Sequence, residues 1–85
     1  MNPDPYVQAT RCFEIIGTAL VELGASLEQV VRTRMFVTDA SFGDAVGRAH
    51  GEAMGGTRPV ATMVVVKALL DERWKVEIEA EAVTS

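Results

Sequence analysis

The chain has 85 residues, enough for one domain with a modest core, and a domain this short gains from burial supplied by partners. Eight Lys plus Arg against twelve Asp plus Glu give a net charge of −4, which argues against a phosphate backbone as partner, since such backbones bind clustered positive charge. A lone cysteine, Cys12, excludes an internal disulfide, and the longest run of bulky apolar residues, Met63 to Val66, is too short to span a bilayer.

Asp4-Pro5 carries a helix-start signal, an N-cap carboxylate before a proline at the first helical position. Ala9, Cys12, Phe13, Ile16, Leu20 and Leu23 then recur at three- and four-residue spacing, and Gly24 is placed to end the helix. Cys12 falls in that stripe and reads as core packing. Ser26-Leu27-Glu28-Gln29 has the form of a capping box. The β-branched run VVRTRMFVT predicts a strand over Val30 to Thr38, with Val31, Thr33, Met35 and Val37 on one face and Arg32, Arg34 and Phe36 on the other.

A second helix is expected from Ser41, with Phe42, Ala45, Val46, Ala49 and Ala53 as its apolar stripe and Gly55-Gly56 as its stop. His50 lies beside that stripe, and no second His or Cys is near enough in sequence to suggest a metal site. After Thr57-Arg58-Pro59, the run from Val60 to Leu70 is apolar on both faces. Asp71-Glu72-Arg73 turns the chain. The last strand alternates strictly, with Lys75, Glu77, Glu79 and Glu81 opposite Val76, Ile78, Ala80 and Ala82. The order helix, strand, helix, strand, strand within residues 1–85 predicts a single α+β domain with both helices on one face of the sheet. A strand apolar on both sides then asks for cover from a second subunit.

The segments ALVELGASLEQVVRTRMFVTD, GGTRPVATMVVV and KVEIEAEAV resemble the Rid family (reactive intermediate deaminases, also called YjgF-like or endoribonuclease L-PSP), from about Pro5 to Val83. The resemblance implies a chorismate-mutase-like fold, assembly as a cytoplasmic homotrimer around a central barrel, and small-molecule pockets between subunits. No cofactor or metal is expected, and the charge balance and the short apolar runs argue against nucleic-acid and membrane partners. The resemblance further implies hydrolysis of reactive imines or enamines, with an arginine gripping the substrate carboxylate and a glutamate on the last strand positioning water. Glu77 matches that glutamate. The arginine position is Ala61, which has no donor for a carboxylate.

Ala61, Met63 and Val65 should share the strand face that the resemblance makes the pocket side. Arg34 and Arg58 are the candidates to replace the lost clamp, against a plain reading of Arg32 and Arg34 as ion-pair partners of Glu77 and Glu79. Trp74 reads as core or interface packing. The strand hairpin that precedes the first helix in the family has no counterpart in these residues. Three functions are compatible with this pattern: a Rid-type hydrolase of altered specificity, a non-catalytic ligand-binding trimer, and, weakest, an RNA nuclease.

Overall fold

A computed structural model describes residues 1–84. Helix α1 spans Pro5–Glu22, β1 Val30–Val37, α2 Gly43–Met54, β2 Val60–Val65 and β3 Val76–Ala82, with single 3-10 turns at Leu27–Gln29 and Ala40–Phe42. Asp4 caps α1 as expected, its carboxylate accepting from the Tyr6 amide at 2.8 Å and from that of Val7. Gly24 at φ 82° and Gly55 at φ 57° end the two helices in the left-handed region, where a side chain would be strained. The second helix starts later than Ser41. Asp39 accepts from the Ser41 amide at 2.8 Å, a bond that keeps its carboxyl below the usual range and organises the 3-10 turn ahead of α2.

The sheet order is β2-β1-β3, with β2 parallel to β1 across the α2 crossover and β3 antiparallel to it. Both helices cover one face. Ala9 and Phe13 of α1, Val46, Ala49 and Met54 of α2, Val30, Met35 and Val37 of β1 and Val76 of β3 form the core. Removing side chains of this size from water supplies roughly 1.5–3 kcal/mol for each large residue, the main favourable contribution in so small a domain.

Two expectations about the strands are corrected. Val31, expected on the face of Thr33, Met35 and Val37, is exposed while Val30 is 2% exposed, because the β1–β3 register shifts between Val30 and Arg32. A bulge adds one residue and so exchanges the faces on either side of it. The apolar run from Val60 to Leu70 forms only a six-residue strand, ending at Val65. The Val66 amide still donates to the Val37 carbonyl at 2.8 Å, after which the chain leaves the sheet and Leu70 stands fully exposed. An Asp71–Arg73 fork, with contacts of 3.0 and 2.6 Å, fixes the return turn and holds the Asp71 carboxyl at about 2.

His50 carries a role that its sequence position did not suggest. Its Nε2 hydrogen-bonds the Oγ1 of Thr33 at 2.9 Å, and the Phe13 ring meets it edge-on at 5.6 Å. One imidazole therefore joins α1, α2 and β1. Burial pushes it below the ordinary imidazole value. Among the described residues, no group of three His, Cys, Asp or Glu could hold a metal.

Candidate functional site

The sheet face away from the helices carries the charged residues. Cross-strand partners share a face, and the register sets Arg32 against Glu81, Arg34 against Glu79 and Phe36 against Glu77. Arg34 Nε lies 3.6 Å from Glu79 Oε1, with both side chains about half exposed, so the ion-pair reading of Arg34 holds and the pair contributes little to stability. Glu77 has an aromatic residue opposite it where Glu79 and Glu81 have arginines. Like Glu81, it enters no ion pair among the described residues, and it has no arginine across the ladder.

Ala61 and Met63 lie elsewhere. They register with Thr33 and Met35, which point into the helix side, so Ala61, Met63 and Val65 do share one face, but it is the face opposite Glu77. Strand β1 stands between them as well. Met63 is half-buried beside the start of α2, where a Cβ on Gly43 would sit 3.7 Å from its sulfur, and Ala61 is exposed. Within one copy of the chain, Glu77 therefore does not stand beside Ala61 and Met63. Arg58 is exposed and precedes β2. Arg34 faces the same side as Glu77, whereas the described residues bring no arginine and Ala61 together.

Sequence reasoning missed a groove of about 700 Å³ between α1 and the free edge of β3. Val7, Ile15, Trp74 and Ile78 give it apolar walls, with Cys12 and Glu77 also lining it. Burial, and then the nearby Glu77 charge, push the Cys12 thiol up, which favours the unreactive protonated form. At one end Gln8 does the work of a strand partner, its amide donating to the Arg73 carbonyl at 3.0 Å and accepting from the Lys75 amide at 2.8 Å. The only sequence trace of the groove was the outward apolar residues of α1, Val7 and Ile15, which a single core stripe leaves unexplained.

The family model described as Endoribonuclease L-PSP matches residues 1–84. The chain belongs to that family. Among solved structures it is similar to Rv2704 of Mycobacterium tuberculosis, a member of the YjgF/YER057c/UK114 family, at 43% identity and a TM-score of 0.95, over 99% of this chain and 71% of that one. A Pseudomonas aeruginosa protein of unknown function, PA3499, superposes at 30% identity and a TM-score of 0.83, over 87% of this chain and 54% of the other. The protein SCO2049 of Streptomyces coelicolor is 42% identical over 79 residues, 93% of this chain, and the chain spans 59% of that relative's length. Two helices on a mixed three-stranded sheet agree with the chorismate-mutase-like fold of these YjgF proteins. No described helix is long and apolar enough to cross a membrane.

Proposed function

We propose that the chain is a Rid-type small-molecule-binding subunit whose pocket forms between copies of a homotrimer, where Glu77 positions water for hydrolysis of a reactive imine or related carbonyl compound. The observation that carries this reading is the division of the site. Glu77 lies on one sheet face at one edge strand, and Ala61 and Met63 lie on the other face at the other edge strand, so the two halves can meet only across a subunit boundary. The exposure of β2 supports the same assembly. Val60 and Val64, 69% and 41% exposed, stand on the open face and Val65, 57% exposed, on the opposite one, so both faces of β2 show apolar surface that costs free energy in water and gains it against a second copy.

A carboxylate that no cation neutralises is a good acceptor for a water proton. Water attack on a polarised C=N bond needs such a positioned base. Ala61 favours the non-catalytic alternative, a trimer that binds without turning over, because the clamp of the family's 2-aminoacrylate deaminases is gone. A nuclease role finds no support in a face bearing Glu77, Glu79 and Glu81.

The test combines mass with turnover. Light scattering at micromolar concentration should return three times the chain mass, and a monomer there would end the shared-pocket reading. Coupled to a pyridoxal-phosphate dehydratase, the protein should release 2-oxo acid from 2-aminoacrylate no faster than buffer. Robust acceleration would show that Arg34 or Arg58 has taken the clamp's place.

A further inference from the structure

We infer that the Glu77 site selects a carbonyl compound, or its protonated imine, that bears no carboxylate. This names the ligand class of the site proposed above and rests on that reading. Its first support is the charge ledger of the open face. Arg34 is paired with Glu79 at 3.6 Å and Arg32 stands across the ladder from Glu81, whereas the residue across from Glu77 is the uncharged Phe36. A ligand carboxylate brought beside Glu77 meets a like charge, and Arg11, the arginine lining the same groove, is already paired with Glu14 at 3.7 Å, whereas a protonated imine meets its counter-ion in Glu77.

The second support comes from β2. From Pro59 to Val66 the chain carries no charged residue, and Ala61, Met63 and Val65 present methyl, thioether and isopropyl groups on one face. Such a wall accepts apolar substituents and offers an anion no hydrogen bond, so desolvation of a carboxylate there would go uncompensated. The two halves come from opposite edges of the sheet and point to the same ligand chemistry. Hydrolysis at this site balances without an oxidant or reductant. Water oxygen adds to the C=N carbon, the C–N bond breaks, both water protons end on nitrogen, and a neutral carbonyl compound leaves with ammonium.

The test uses 2-oxobutyrate and its methyl ester, a pair differing in one charge, titrated into the assembled protein while amide shifts of Ala61, Met63 and Glu77 are followed by NMR. The ester should perturb all three and saturate at a concentration at least about tenfold below any effect of the acid, as expected when a charged group lacks its partner. Ala61→Arg should bring acid binding up to that of the ester, and a variant that still excluded the acid would remove Ala61 from the specificity argument. An acid that binds wild type as well as the ester does, at these residues, overturns the ligand class and leaves the site standing. If neither compound moves these amides, the site itself is misplaced and both readings fall.

Discussion

The two edge strands of the sheet flank the same central strand and are built on opposite plans. β3 alternates, turning Val76, Ile78, Ala80 and Ala82 toward the helices and its glutamates outward, and α1 lies against it. β2 has no alternation to speak of, no buried residue, and an apolar surface that the chain half-covers only at Met63. The difference separates what the chain stabilises alone from what it leaves for association. A strand with one wet face needs polar residues there, whereas a strand destined for a second layer does not.

The largest expected effect lies on the α1 side. Phe13→Ala removes a ring from the centre of the core and should cost about 3–5 kcal/mol in urea unfolding. Val65→Ala on β2 should cost less than about 0.5 kcal/mol in the dissociated chain, in keeping with its exposure, and weaken assembly instead. Equal costs for the two would erase the contrast between the strands.

A smaller effect should follow from the link between α2 and β1. Thr33→Val takes the hydroxyl partner from the partly buried imidazole of His50, a loss of about 0.5–1.5 kcal/mol. The pH dependence has a definite sign. His50 is held below its unfolded value of 6.5, so the unfolded chain binds the proton more readily. Its contribution to stability is full above pH 6.5 and is lost as pH falls toward the folded value. Melting curves from pH 8 to pH 5 should show that loss in the wild type and a flatter profile in His50→Phe. A wild-type profile as flat as the variant's would assign the acid sensitivity to other groups.

The smallest effect belongs to the open face. A double-mutant cycle on Arg34 and Glu79 should return about 0.2–1 kcal/mol of coupling, decreasing with salt, since both side chains are half exposed. Coupling well above that in the assembled protein, with little in the dissociated chain, would show that a neighbouring copy buries the pair and would extend the unmatched state of Glu77 into the interface.

Helix ends and faces were legible in the sequence because short-range physics sets them. Asp4-Pro5, Gly24 and Gly55 act within a few residues, and alternation in β3 survives because one of its faces is wet. Three features escaped for a common reason, that each depends on residues distant in sequence. The bulge at Val31 is a property of the pairing with β3. The length of β2 is set by how far β1 extends beside it. The Thr33–His50 bond joins residues whose separate environments look ordinary. The candidate site was legible as residue types and illegible as geometry. Periodicity placed Ala61 with Met63 and Glu77 with Glu79, but no pattern within one strand says which face it shares with its neighbour.

Strand order carries a further consequence, for kinetics. The β1-α2-β2 unit closes through one short crossover, with Val37 and Val65 paired, whereas β3 must find β1 from farther along the chain, with Val37 meeting Val76. Pairing across greater sequence separation is the slower event, because more chain entropy is lost before contacts repay it. Sequence separation therefore predicts that β3 pairs after the β1-α2-β2 unit, which φ-values near zero for substitutions in β3 would bear out. Stability in the folded state follows burial instead: in native-state hydrogen exchange of the dissociated chain the β2 amides, on an edge strand with no buried residue, should open below the global unfolding free energy while those of β1 facing β3 stay closed.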